Sequence, residues 1–236
     1  MKNIICLALS VFLFSGNVFS QAIPTSSRSR KAVATQTPIL KKEYKESDLK
    51  WGSPIFMRLF KEEMKLEIWV KQSETFVFFK DYDICTYGGM GLGPKLKQGD
   101  GSAPEGFYYV NRKRLNPYSS FHLSFNLGYP NTYDRARHRT GSALMVHGNC
   151  VSIGCYAMTN SKIEEIYSIA ESALRGGQFF FRVHVFPFKM TDSNMAKHQS
   201  SKWYSFWQNL QTGYLHFENT KRPPNVTVRN KKYVFN

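Results

Sequence analysis

The strongest constraint on the fold is a period-two pattern that opens near residue 65. Leu66, Ile68 and Val70 alternate with Glu67 and Trp69, which places an apolar row on one face of an extended strand. Residues 55–60 precede it as another apolar strand, with Lys61-Glu62-Glu63 as a charged turn between the two. Short segments rich in aromatic and β-branched residues follow at 75–80, 83–87, 106–110, 121–127 and 143–147, each bounded by Gly, Pro or Asn. So many short strands with one face to bury predict a mainly β domain with flanking helices. One helix is expected after them. Ser161 with Glu164 three residues on makes a capping box, Ile163, Ile166, Tyr167, Ala170 and Leu174 share a face, and Gly176-Gly177 ends it. Residues 178–186 return as a strand with Phe179, Phe181, Val183 and Val185 on one side. Residues 201–210, holding Trp203, Phe206, Trp207 and Leu210, are predicted as a short helix. From Arg222-Pro223-Pro224 onward an extended tail packed on the body is expected.

The N-terminus has a different character. Lys2, an apolar run over residues 4–14 and Val18-Phe19-Ser20 before Gln21 follow the order of a secretory signal peptide, here residues 1–20. The run is shorter than the ~20 residues a bilayer span needs, so no stable membrane span is expected after processing; a retained anchor is the competing reading. Residues 21–50 are rich in Ser, Thr, Lys and Arg, include Pro24 and Pro38, and predict a flexible basic leader. The rest suits one core: a main domain over residues 51–188, with residues 189–236 as a C-terminal extension packed on it. The formal charge is +15, which favours anionic partners. The export signal, and the absence of any zinc-finger or helix-turn-helix pattern, argue against nucleic acid.

Three cysteines follow the signal peptide: Cys85, Cys150 and Cys155. In an oxidising compartment an odd number leaves a thiol unpaired, and no spacing matches a zinc site. The informative stretch is His147-Gly148-Asn149-Cys150-Val151-Ser152-Ile153-Gly154-Cys155. A strand delivers His147, Gly148 lets the chain turn, and Cys155 lies shortly before a helix start. A thiolate is the reactive form of cysteine, and a nearby imidazole or helix N-terminus favours it. The flanking glycines leave backbone amides accessible, and those of Gly154 and Cys155 are expected to face a developing oxyanion. From spacing alone Cys155 could equally be a small buried hydrophobe, or pair with Cys150. Cys150 itself stays unassigned; a bond to Cys85 would leave Cys155 free.

His-Gly followed by Ser-x-Gly-Cys resembles the signature of the L,D-transpeptidase catalytic domain (YkuD-type) family. Ala103-Pro104-Glu105-Gly106-Phe107-Tyr108 is similar to that family's Thr-Pro-x-Gly strand opening, and Glu67-Ile68-Trp69-Val70 to its first hairpin. The resemblance is closer still to the periplasmic YafK-type branch. It runs from about Ser53 through the tail and includes Phe60-Lys61-Glu62-Glu63, Gly91-Leu92-Gly93-Pro94-Lys95, Gln98-Gly99-Asp100, Tyr133-Asp134-Arg135-Ala136 and Met190-Thr191-Asp192. It implies a curved β-sandwich or barrel catalytic domain, with Cys155 as nucleophile, His147 as base, the Gly148 carbonyl orienting the imidazole, and Gly154 and Ser152 shaping the oxyanion turn. Family members form a thioester at the L-centre of meso-diaminopimelate in peptidoglycan stem peptides. Amines resolve it to cross-links or to an anchored outer-membrane lipoprotein, and water hydrolyses it. The YafK-type branch is associated with cutting the diaminopimelate–lysine amide to that lipoprotein, in the periplasm. Two features depart from the wider family: only eight positions separate His147 from Cys155, and Ala157 stands where an Arg or Asn is usual.

Arg135, Arg139, His122 and Tyr133 are the candidates for substrate contact, the arginines because a guanidinium binds carboxylates in bidentate fashion. Tyr87-Gly88-Gly89-Met90-Gly91-Leu92-Gly93-Pro94-Lys95 lacks the ending of a phosphate loop and is expected as a mobile loop over the cleft. His184, His198 and His216 are expected to be structural. No metal or cofactor is implied.

Overall fold

A computed structural model describes residues 22–89 and 91–236; the expected signal peptide lies outside them. In chain order the elements begin with α1 (Ser27–Glu46), β1 (Ile55–Phe60), β2 (Lys65–Gln72), β3 (Thr75–Asp83), β4 (Gly106–Asn111), β5 (Leu115–Asn116) and β6 (Ser124–Asn126). Then come α2 (Thr132–Ala136), β7 (Met145–His147), β8 (Tyr156–Ala157), α3 (Asn160–Arg175) and β9 (Phe180–Phe186). The C-terminal extension contributes α4 (Asp192–Lys197), α5 (Tyr204–Thr220) and the strands β10 (Val226–Arg229) and β11 (Lys232–Phe235). The result is mixed sheets with flanking helices.

The predicted first hairpin is β1 against β2, with Ile55 opposite Val70 and Phe60 opposite Lys65. It sits inside a five-stranded sheet of order β3-β2-β1-β9-β4, in which β1 runs parallel to β9 and β4 antiparallel to it. A smaller sheet, β5-β6-β7-β8, carries His147 at the end of β7, and residues 148–155 form the loop from β7 to β8. All six residues of β1 are buried, because both faces of the main sheet are covered, as in strands that read as continuous apolar runs. On one face Ile55, Met57 and Leu59 join Val146, Tyr156, Ile163 and Ile166 in the principal core. On the other, Phe60, Phe107 and Phe186 meet Trp207, Leu210 and Tyr214 of α5 and Tyr233 of β11. The extension is therefore a layer of the fold. Its helix is longer than the predicted 201–210, and its tail is a hairpin with Val226 opposite Phe235.

Two local expectations are corrected. Residues 21–50 are no flexible leader: Ser27–Glu46 is helical, opened by a reciprocal cap in which Ser29 N–H donates to Ser26 Oγ (3.1 Å) and Ser26 N–H to Ser29 Oγ (2.9 Å). Ala32, Leu40 and Tyr44 are buried, a stripe too sparse to stand out among polar neighbours. Lys80 on β3 ties this helix to α3, with its ammonium 3.1 Å from Glu43 and 2.8 Å from Glu165. The cap of α3 is Thr159, whose hydroxyl accepts from Lys162 N–H (3.3 Å); Ser161 lies within the first turn. Glu164 is then free to pair with His122.

Candidate active site

His147 ends β7, and the register sets Val146 opposite Tyr156 and His147 opposite Ala157. Cys155 immediately precedes β8, and its sulfur lies against β7, 3.4 Å from the Met145 nitrogen. His147 and Cys155 line one cavity of about 430 Å³, together with Lys95, Phe121, Leu144, Met145, Val151 and Ile153. Cys155 is the free cysteine among the described residues, since Cys85 and Cys150 form a disulfide with Cα atoms 5.3 Å apart.

The imidazole is 1% exposed. Its Nδ1 lies 2.6 Å from the Gly148 carbonyl, an acceptor, so Nδ1 carries the proton and Nε2 keeps a lone pair. The Phe121 ring covers it at 4.7 Å. Burial pushes the His147 pKa down, against the opposing pull of the Gly148 carbonyl, and so favours the neutral imidazole. Burial likewise pushes the Cys155 thiol up, opposed by the Met145 N–H and the Lys95 charge. At neutral pH the pair holds a thiol and a neutral imidazole. Met145 N–H donates to Sγ (3.4 Å), and the thiol points to the Ala143 carbonyl (3.6 Å). The thiol makes no hydrogen bond to the imidazole in this state. Such bonds are commonly loose without substrate and tighten on binding.

The loop between the two residues is held at several points. Gly148 N–H reaches the carbonyls of Phe121 (3.0 Å) and Leu123 (3.1 Å). A Cβ at Gly148 would fall 2.6 Å from Asn160 Oδ1, so the glycine is a steric requirement. Asn149 and Cys150 take positive φ, 69° and 50°, and turn the chain back. Ser152 Oγ donates to the Cys155 carbonyl (2.6 Å) and accepts from Gly154 N–H (2.9 Å). The Gly154 amide is engaged by Ser152, whereas no acceptor for the Cys155 amide is found among the described residues.

The disulfide fastens the same loop. Cys85 N–H donates to the Ala157 carbonyl (2.8 Å) and Cys150 N–H to that of Met158 (3.0 Å), so the bridge clamps both flanks of β8. It closes a 65-residue separation, for which loop entropy gives about 4 kcal/mol. The Cys85→Ser/Cys150→Ser protein is expected to lose a similar amount in urea unfolding. Adding a reductant to the unmodified protein should reproduce that loss.

At the start of the glycine-rich segment, Gly88 and Gly89 pack against the backbone of Gly154 and Gly101. Gly89 N–H bonds the Gly101 carbonyl (2.7 Å), and a Cβ at Gly88 would meet the Gly154 nitrogen at 2.4 Å. The four candidates for substrate contact do not line the cavity. His122 Nε2 pairs with Glu164 (2.7 Å). Arg139 is buried against Asp134 (2.8 Å). Tyr133 stacks on Tyr233 at 4.3 Å, and Arg135 bonds the Pro130 carbonyl. Arg135, Arg139 and Tyr133 thus brace α2 and the C-terminal hairpin, and His122 ties its loop to α3. Sequence reasoning assigned no role at the cavity to Lys95, Phe121, Val151 and Ile153, although Lys95, Val151 and Ile153 lay in stretches already singled out.

The L,D-transpeptidase catalytic domain (YkuD) family matches residues 60–185. YafK of Escherichia coli (strain K12), an L,D-transpeptidase by name, is 45% identical over 230 residues, covering 98% of this chain and 89% of that protein. Among solved structures, the helical cell shape determining protein Pgp2 from Campylobacter jejuni aligns with a TM-score of 0.46 at 16% identity, over 77% of this chain and 75% of that one. A variant of the same protein gives 0.48 at 19% identity, over 72% and 58%. With a family match across more than half the chain and a relative aligned almost end to end, the chain belongs to the L,D-transpeptidase catalytic domain (YkuD) family.

Proposed function

We propose that this protein is an exported, periplasmic cysteine enzyme that hydrolyses the amide joining diaminopimelate of the peptidoglycan stem to a lysine of an outer-membrane lipoprotein. The observation that carries this reading is the shared cavity, into which a free thiol and an imidazole of set tautomer both open. In the proposed cycle His147 Nε2 takes the Cys155 proton as sulfur adds to the scissile carbonyl. The oxyanion meets the Cys155 amide. Collapse expels the lysine amine, which leaves with the proton from His147, and a thioester remains. Water, deprotonated by the same imidazole, then attacks the thioester and restores the thiol. Buried hydrogen bonds of Gly148 and Ser152 keep the parts aligned.

The name borne by the YafK relative favours a second reading, stem-to-stem cross-linking, in which an amine replaces water at the last step. Product analysis separates the two. Incubation with lipoprotein-bearing muropeptides should release free tripeptide stems by mass. Dimeric stems as the main product would replace hydrolysis with cross-linking. Binding without any product would leave a wall-binding module.

The pair has to hold one proton between sulfur and imidazole, which predicts a bell-shaped pH profile of kcat/KM. Because burial lowers His147 and raises Cys155, the acid limb should fall below the ordinary imidazole value of about 6.5 and the alkaline limb above the ordinary thiol value of about 8.5. The plateau is thus broader than for an exposed pair. Initial rates across pH would test this, and an acid limb above pH 7 would contradict it.

A further inference from the structure

Among the described residues two lysines are almost wholly buried, and they are not alike. Lys61 has its ammonium satisfied by the carbonyls of Gly93 (2.8 Å) and Ala103 (3.3 Å) and by Glu105 Oε1 (3.0 Å). An ammonium has three N–H donors, and here each has an acceptor. Lys95 is 4% exposed, and its ammonium has a single acceptor among the described residues, Asp100 Oδ1 at 2.7 Å. Its two other donors have no such partner, and Lys95 lines the cavity that holds Cys155 and His147.

Asp100 does not use its whole charge on Lys95. Its oxygens also accept the backbone N–H groups of Leu96 (2.7 Å), Lys97 (3.0 Å) and Ser102 (3.0 Å). The carboxylate therefore folds its own loop and holds the lysine in place, with its charge spread over three amides. Behind the lysine, a Cβ at Gly141 would fall 3.0 Å from Lys95 Cε, so the stem is confined on that side as well. Most of the remaining wall is apolar, from Phe121, Leu144, Met145, Val151 and Ile153. A buried cation with open donors costs free energy unless something completes it. In a low-dielectric cavity the group that completes an ammonium best is an anion.

We infer that Lys95 binds a substrate carboxylate inside the nucleophile's cavity. Building on the proposed function, it is the free carboxylate at the D-centre of the diaminopimelate residue whose L-centre carbonyl is attacked. That carboxylate sits on the same residue as the scissile bond, joined to it by the residue's own carbon chain. Pairing it with Lys95 fixes the carbonyl over Cys155. The enzyme then selects stems with this carboxylate free over stems in which it is a carboxamide.

The test crosses two substrates with two variants. Stem peptides are prepared with the D-centre carboxylate free or amidated, and with either a lysine amide or D-alanine as leaving group. Acylation of Cys155 is followed by intact mass, and kcat/KM by product release. The unmodified protein should prefer the free carboxylate roughly 10- to 100-fold. Lys95→Met should lose that factor on the free carboxylate, mainly through KM, and change little on the carboxamide. Lys95→Arg, which keeps the charge, should retain part of the preference. Equal loss on both substrates, or no preference in the unmodified protein, would overturn the inference. If the lysine amide is not cleaved but D-alanine stems acylate Cys155 with this preference, the lipoprotein reading fails and the role of Lys95 stands. If the amide is cleaved without preference, the reverse holds.

Discussion

Replacing Cys155 with Ala is expected to lower turnover by at least about 10³-fold, to the background of binding and oxyanion contacts alone, while the protein stays folded. The side chain touches the core only in part and contributes no bridge, because the disulfide belongs to Cys85 and Cys150. The cost in stability should stay within about 1 kcal/mol. His147→Ala should fall to a similar level, and the double variant should be little worse than either single one, since residues acting as one unit are not additive. Single-turnover acylation read by intact mass would check this, because no thioester can form at residue 155 without sulfur. A Cys155→Ala protein with full turnover would remove the proposed nucleophile.

A large effect on stability is expected at another buried group. Glu105 and Lys61 are each 0% exposed. Glu105 Oε1 accepts from Lys61 (3.0 Å) and from Gly93 N–H (2.7 Å), and Oε2 accepts from Trp207 Nε1 (2.9 Å). One carboxylate thus joins the end of β1, the glycine-rich loop and α5 of the extension. Lys61→Met would leave that charge buried without its cation, at about 3–5 kcal/mol. Against a total stability on the order of 5–15 kcal/mol, this is a large share. Adding Glu105→Gln to Lys61→Met removes the stranded charge and should recover part of the loss, because the amide oxygen still accepts a hydrogen bond. Urea unfolding of the single and double variants would show it. If Lys61→Met alone cost less than about 1 kcal/mol, the ion pair would not be the joint described.

Local chemistry carried far in this chain. The β1–β2 hairpin, β9 and the end of α3 were legible because alternation, a helical face and a terminal glycine pair act between near neighbours. His147 and Cys155 were legible because a short turn has little freedom in where it brings its ends. Even the glycine at 148 follows from its place at the end of a strand, although the contact that forbids a side chain there comes from Asn160, on another element.

Other features depend on which distant surfaces meet. Residues 27–46 look like a solvated leader until α3 and Lys80 give Leu40 and Tyr44 somewhere to be buried. Arg139 and Tyr133 have the chemistry of substrate contacts, yet Asp134 and Tyr233 claim them first. The cysteine bridge spans 65 positions, a distance over which spacing says nothing. The same holds at the site. Ser152 takes the Gly154 amide, and the loop of Asp100 turns Lys95 inward beside the thiol. Residue types and short-range periodicity set the strands, the turn and the approach of His147 to Cys155. Long-range packing alone chose which polar groups were consumed by the fold and which remained open to a ligand, because a buried donor or acceptor must be satisfied by whatever the tertiary structure brings within reach.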